Sequence, residues 1–412
     1  MVQIICDHVE IERSLRRLAS LVQKNDGWLD ERLIIRYERG GFSVHAKANG
    51  AQSNWIIKMP PSCLLPTDQF QLNLVGDDIC IQSHTSELSG RRLDLLDAVL
   101  ELWNQSGKIV TQKETTFWSL SENDPELFKH LVAGRNTQFY AKLEDHLYAK
   151  DQSEHLLIKG FLESRTSGLT LNLASAERTQ MLMPIIELLN HHPVAPSYAY
   201  FVNQHEQNQL AIKEFCPHPE TTECFVRYGH YDAYDLLLNY GYVERNTFFI
   251  RSIPMEISFP GLGVMRVFTS TGQLSSKNLP PQIAGLGVFL PKFFIDRNAG
   301  VADVGYLLIP QETAPHALRR VLSFIIFHLD PKLSPKKVAD FTEMAEKQVL
   351  AENTKFYQDL LEYLQHLDST GKNKHVLQVR SAREMANVQL SKLAKYPFIG
   401  KDVSHAHTSL NP

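Results

Sequence analysis

Residues 223–246 read ECFVRYGHYDAYDLLLNYGYVERN, and the remainder of the chain is organised around them. Cys224, Phe225, Val226 and Tyr228 are strand formers. Gly229 turns the chain, and Asp232 suits the N-cap of a short helix carrying Leu236, Leu237 and Leu238. Gly241 stands where a left-handed residue ends such a helix. The stretch therefore predicts a strand, a turn and a helix. Tyr228 is delivered to the turn and Tyr240 comes back about three helical turns later. Two hydroxyls at the two ends of one unit exceed what packing requires. The plainer alternative is a buried βα unit with two core tyrosines.

The totals set bounds on this reading. A chain of 412 residues suggests two or three domains with a sizeable core. Hydrophobic residues at 43% and charged residues at 21% are ordinary for a globular protein. The formal charge of −4 argues against a nucleic-acid binder acting through its whole surface, and leaves room for a local basic patch. No apolar run reaches the ~18 residues of a membrane helix. The start, MVQIICDHVEIERSLRR, has an acid at Asp7 and no apolar stretch before a small-residue cleavage site, so no secretion signal is expected. Cys6, Cys63, Cys80, Cys216 and Cys224 are odd in number, widely spaced and free of CxxC pairs. Such usage suits free thiols in a reducing, cytoplasmic compartment, and is compatible with non-classical export into a host cell. Cys216, His218, Cys224 and His230 match no zinc spacing, so no metal is expected.

Along the chain, residues 8–24 carry Ile11, Leu15, Leu18 and Val22 on one helical face. Short strands are predicted at 33–37, 42–46, 55–59, 70–74 and 78–82. Gly40-Gly41, Asn49-Gly50, Pro60-Pro61 and Gly76-Asp77-Asp78 punctuate them. Residues 88–155 read as a mostly helical insertion, after which strands return at 155–161, 169–173, 198–202 and 209–215. Beyond Arg251 come apolar segments broken by Gly and Pro, then helices at 335–351, 354–368 and 380–395. Ser334-Pro335 caps the first of these with proline at the first helical position. The tail after Pro397 is expected to be loosely ordered. The expected class is α+β: small curved sheets with a helical insertion over 1–250, then a mostly helical domain over 251–412.

Three segments belong together: GGFSVHAKANGAQSNWIIKMPPSCLLP from Gly40, LLNHHP from Leu188, and the 223–246 stretch. Their order and content resemble the SET-domain methyltransferases, and within them the Rubisco large-subunit lysine methyltransferase class. That class shows G-x-G-x-x-A, then D-x-x-N-H, then a strand ending in Tyr-Gly, then L-L-x-x-Y-G-F-V. The counterparts are Gly41, Ser43 and Ala46, then Glu187, Asn190 and His191, then Tyr228-Gly229, then Leu237 to Val243. The insertion and the helical C-terminal region suit the class too. The likeness spans roughly residues 30–400 and is most specific over 187–246.

The resemblance implies transfer of a methyl group from S-adenosylmethionine to a lysine of a protein substrate. No nucleic acid, membrane or metal partner is implied. Tyr228 matches the catalytic tyrosine, and Tyr240 the second tyrosine lining the lysine channel and cofactor site. Asn190 and His191 match cofactor-binding positions, and the Gly41 loop would lay its backbone against the methionyl end. Arg165, in ESRTSG, would pair with the cofactor carboxylate. Taken separately, Asn-His-His-Pro can be a simple turn, Gly40-Gly41 a hairpin turn, and Arg165 a solvated arginine. The sequence departs from the family at Ser43, which replaces a glycine and resists positive φ. It departs again at Glu187, where the family has Asp, and at Asp232-Ala233-Tyr234, where it has Ser-Asn-Ala. No cysteine follows Cys224, so the zinc cluster of histone-type enzymes is absent from the sequence. A histidine acceptor, or a non-catalytic binding module on the same scaffold, are the alternatives.

Overall fold

The computed structural model describes residues 2–47, 54–88, 90–117, 120–135, 153–169, 178–201, 209–217, 221–269, 285–311, 314, 316–370 and 374–396. The Asn49-Gly50 turn, most of the 169–173 segment, His218 and the tail beyond Pro397 lie outside these residues. The chain is α+β, with seven small sheets of two to four strands among the described residues. It divides into two compact units, Met1–Ser119 with Asp151–His230, and Leu120–Lys150 with Tyr231–Pro412.

In the first unit, the strand Gln3–Cys6 runs parallel to Leu33–Glu38, which pairs antiparallel with Gly41–Ala46. Arg39 and Gly40 link the last two with φ of 54° and 76°, both left-handed. A two-residue turn of that kind matches the twist of the strands it joins. The helix Val9–Lys24 buries Ile11, Leu15, Leu18 and Val22, the face expected from their spacing. A second sheet orders Ala199–Phe201, Gln209–Lys213, Trp55–Met59 and Trp28–Leu29. Helices Arg91–Gln105 and Lys108–Thr115 belong to the helical segment expected after residue 88.

One expectation is overturned here. HLLIKGF at 155–161 is not a strand but part of the helix Ser153–Glu163. Leu157, Ile158, Phe161 and Leu162 recur at helical spacing, and all four pack on the core of this unit. A short apolar run fits either period, and packing decided for the longer one.

The second unit holds a four-stranded sheet ordered Met255–Phe259, Gly263–Val267, Val301–Val304 and Phe293–Asp296. At Gly263, with φ of 144°, an added Cβ would lie 1.9 Å from the Gly300 carbonyl oxygen, so two backbones meet there. Helices Ala317–Leu329, Pro335–Ser369 and Val376–Ala394 follow. Ser334 accepts from the Lys337 N–H and caps the longest of them. The two helices expected over 335–368 form this single helix of 35 residues, because no breaker separates them. Asn353, at the expected break, is instead buried inside it and accepts from the Ile253 N–H.

A buried ionic network also lies in this unit. The Arg135 guanidinium is 1% exposed and donates to both oxygens of Asp232 at 2.9 Å and to Asp235 at 2.7 Å. Arg251 donates through Nε to Asp235 and through its backbone N–H to Asp232. Gln389 donates a further bond to Asp232 at 2.8 Å. Two cations thus face two anions away from water, with hydrogen bonds on every carboxylate oxygen. Such burial is tolerable only when pairing is this complete.

Candidate active site

The 223–246 stretch folds as its residues require. Its strand is short, Phe225–Val226, and pairs in parallel with Asn190–His191. Its helix runs Ala233–Tyr240. Asp232 accepts from the Asp235 N–H, and the Asp235 side chain accepts from the Asp232 N–H, a reciprocal cap. Gly241, at φ 78°, ends the helix. Eight residues make about two turns, not the three expected. The boundary between the compact units falls between His230 and Tyr231, so Tyr228 belongs to the first unit and Tyr240 to the second.

The parallel register brings Tyr228 to His191. The Tyr228 backbone N–H donates to His191 Nδ1 at 3.1 Å, and the two rings lie 5.2 Å apart. An Nδ1 that accepts carries no proton, so the neutral ring holds its proton on Nε2. Burial depresses the His191 pKa to about 4, and the charges of His192 and Arg227 act the same way. Nε2 is buried with no hydrogen-bond partner among the described residues. The Tyr228 hydroxyl donates to the Leu189 carbonyl at 2.6 Å. Burial raises its pKa well above the ordinary value, against the nearby charge of Arg165. Tyr228 is therefore a neutral phenol at pH 7, with its proton committed to a carbonyl and its oxygen an acceptor.

Glu187 sits in the turn Ile186–Leu188, just after Ile185, whose φ is 67°. A β-branched residue in the left-handed region is strained, and such strain clusters at functional sites. Both carboxyl oxygens of Glu187 are buried, with the Trp103 indole N–H beside them. Burial pushes its pKa up to about 7, with the Arg165 charge and then the Trp103 N–H opposing. Arg165 itself stacks on the Trp103 ring at 3.9 Å and the Phe161 ring at 4.4 Å. It donates to Ser164 Oγ and to the Phe161 carbonyl.

Asn190 donates its amide protons to the Phe42 carbonyl at 3.2 Å and to Glu223 Oε1 at 2.8 Å. It thereby ties the Gly41–Ala46 strand to the strand leading to Tyr228. The expected glycine loop is a strand: Gly41 pairs with Glu38 and Ser43 with Arg36, and Arg39-Gly40 makes the turn. Ser43 is extended, so its resistance to positive φ has no consequence here. Its hydroxyl bonds His45 Nε2 at 2.9 Å, and His45 Nδ1 meets Thr222 Oγ1 at 3.1 Å. Phe42, between Gly41 and Ser43, packs edge-on against Trp103 at 5.3 Å.

The first unit thus links Arg165, Asn190, His191 and Tyr228 through shared neighbours, and Phe42, which stands between Gly41 and Ser43, joins Asn190 to Trp103. Tyr240 ends its helix in the second unit, 6.0 Å from the Tyr231 ring and 6.4 Å from the Tyr242 ring. Sequence reasoning missed Trp103, which carries no motif, and took Glu187 only as a departure from a pattern. Glu187 had a usable signal, since an acid inside PIIELL is flanked by apolar residues on both sides. Among the described residues, no group of three His, Cys, Asp or Glu side chains could hold a metal ion. Likewise no helix among them is long and apolar enough to cross a membrane.

No family model and no curated protein matches the chain. Among solved structures it is similar to the SET domain of LSMT bound to lysine and AdoHcy, at TM-score 0.43 and 10% identity, covering 93% of this chain and 90% of that one. It is similar to Rubisco LSMT bound to AdoMet at TM-score 0.43 and 11% identity, with the same coverages of 93% and 90%. It is also similar to Rubisco LSMT bound to sinefungin and monomethyllysine, at TM-score 0.38 and 11% identity, over 92% of this chain and 90% of that one. Likeness of this degree leaves function to the side chains of the site.

Proposed function

We propose that the chain is an S-adenosylmethionine-dependent protein N-methyltransferase of SET type, acting on a lysine side chain. In this reading residues 1–250 do the chemistry and the helical region over 251–412 engages the protein substrate. The observation that supports it most is Tyr228: a neutral phenol, its proton held by the Leu189 carbonyl and its backbone by His191.

The residues around it fit a polar ligand. His191 Nε2 is a buried polar atom without a hydrogen-bond partner among the described residues, and the buried Glu187 carboxyl has the Trp103 N–H and the Arg165 charge to offset its burial. Groups of that kind cost about 1–3 kcal/mol each until something bonds them. A cofactor bearing amine, carboxylate and hydroxyl groups supplies such bonds. Bound S-adenosylmethionine supplies an electrophilic methyl on a sulfonium sulfur.

The protein's share is positioning and exclusion of water. The acceptor lysine, with an ordinary pKa of about 10.4, must lose its proton to attack, and an apolar channel favours the neutral amine. Tyr228 is too weak an acid to be ionised, so it acts through its oxygen. That oxygen faces partial positive charge on methyl hydrogens or on the amine and accepts weak contacts from them. Arg165 balances a cofactor carboxylate, Asn190 and His191 hold the adenine and methionyl parts, and the Gly41–Ser43 strand edge supplies backbone groups. Tyr240 lines the lysine channel.

Transfer of labelled methyl from S-adenosylmethionine to proteins of a whole-cell extract tests this, with mass spectrometry reading the modified residue. Wild type should methylate lysine, and Tyr228→Phe should lose about a hundredfold in rate. Equal rates would remove Tyr228 from the chemistry. No calorimetric binding at millimolar cofactor would overturn the reading as a whole.

A further inference from the structure

The outer face of the last helix, Val376–Ala394, carries a second feature. Arg380, Glu384, Ser391 and Lys395 follow one another at helical spacing. With Arg383 and Lys392 beside them, and Arg245 from the loop after Gly241, they line an open groove of about 620 Å³. Five cations and a single acid, Glu384, line it. This is a local concentration of positive charge on a chain whose net charge is −4.

Three of the five cations already have a partner, and two have none among the described residues. Arg245 is the side chain that holds Glu384, donating through Nε at 2.9 Å and through Nη2 at 2.5 Å to one oxygen. Arg383 pairs with Asp368. Lys392 donates to the Thr247 carbonyl at 2.9 Å. Arg380 and Lys395 are exposed and have no acidic partner among the described residues. With Glu384 and Asp368 counted, and Glu244 acting on Lys392, the cations in excess are Arg380 and Lys395 at the two ends of the groove.

We propose that this groove docks an acidic segment of a partner polypeptide. Three features favour a polypeptide. The cations extend from Arg380 to Lys395, about 22 Å at the rise of a helix, which matches roughly seven residues of extended chain. A single phosphate would engage one end only. Arg245 already binds a carboxylate, that of Glu384, so the groove displays the recognition it would repeat. Among the described residues no aromatic side chain lines it, which leaves nucleic-acid bases without a stacking surface there. Val388 offers the one apolar contact in the floor.

The inference extends the reading that residues 251–412 engage the protein substrate, and its test can fail separately from the methyltransferase reading, because docking needs neither cofactor nor acceptor lysine. Fluorescence anisotropy of the full chain with a labelled octapeptide of alternating Glu and Ser tests it, in the absence of S-adenosylmethionine. The peptide should bind, weaken as salt rises, and lose at least about tenfold in affinity in R380E/K395E. Should circular dichroism show that double variant misfolded, R380Q/K395Q replaces it, with a severalfold loss expected. An undetectable complex with wild type overturns the proposal, as does unchanged affinity in a folded variant. A single-stranded oligonucleotide of equal charge that binds more tightly than the peptide overturns the choice of partner.

Discussion

Replacing Arg135 by methionine keeps the bulk of the side chain and removes its charge from a buried network. The structure sets the size of the effect. Asp232 loses its bonds from Nη2 and keeps those from the Arg251 and Asp235 N–H groups and from Gln389. Asp235 loses Nε of Arg135 and keeps Nε of Arg251. Two buried carboxylates then face one guanidinium. Leaving a buried charge uncompensated costs about 3–5 kcal/mol. For a unit of roughly 210 residues, that corresponds to a melting shift on the order of 10 °C.

The loss carries a pH signature. Burial would raise the Asp235 carboxyl, but the Arg251 and Arg135 charges prevail and hold it below its ordinary 3.8. A carboxyl depressed in the folded state contributes stability above its unfolded pKa, and that contribution fades as pH falls through the folded value. R135M forfeits much of it, so the gap between wild type and variant should be full from neutrality down to about pH 4 and narrow as pH falls below the ordinary 3.8. Urea unfolding followed by helix circular dichroism reads the second unit, which holds the longest helices. The tryptophans Trp28, Trp55, Trp103 and Trp118 all belong to the first unit, so their fluorescence reports on that one. A change in the circular-dichroism transition below about 1 kcal/mol, or a gap that does not narrow as pH falls below about 4, would refute the reasoning.

Further outcomes follow from single contacts. Glu187→Gln removes a carboxyl whose folded pKa, about 7, exceeds its ordinary 4.5. A raised carboxyl opposes folding above the folded value and not below the unfolded one, so the variant should melt higher than wild type at pH 8 and equally at pH 4. His191, held near 4 against an ordinary 6.5, should make wild type lose stability as pH falls through that interval. His191→Ala should flatten this slope while costing about 1–3 kcal/mol at pH 8 for the orphaned Tyr228 N–H, both read by denaturant titration. Gly263→Ala would put a methyl 1.9 Å from the Gly300 oxygen at φ 144°, and should cost upwards of about 3 kcal/mol in thermal unfolding.

Much of the layout was legible because its causes are local. The helix Ala233–Tyr240 follows from Asp232 as cap, three leucines and Gly241, all within ten residues. The strands at Leu33–Glu38, Gly41–Ala46 and Trp55–Met59 follow from alternation and turn residues. Ser334-Pro335 announces the start of the longest helix. The errors fall where local signals tie. Residues 155–161 fit two periods, and the packing of Phe161 chose the helix. Gly40-Gly41 could be a loop or a hairpin, and pairing with Leu33–Glu38 chose the hairpin.

Residue identity alone therefore determines where chain elements start and stop, and which side chains have chemistry to offer. It does not determine their state. Tyr228 is a neutral acceptor because Leu189, 39 positions earlier, presents a carbonyl to its hydroxyl. His191 is neutral and bonded through Nδ1 because a parallel pairing brings the Tyr228 N–H to it. Glu187 is raised because folding removes water from its carboxyl by more than the Arg165 charge and the Trp103 N–H offset. Asp232 reads as a simple cap, yet it anchors an ion network whose partners lie 97 and 157 positions away. Protonation and pairing depend on solvent exclusion and on distant neighbours, and only tertiary structure assembles those.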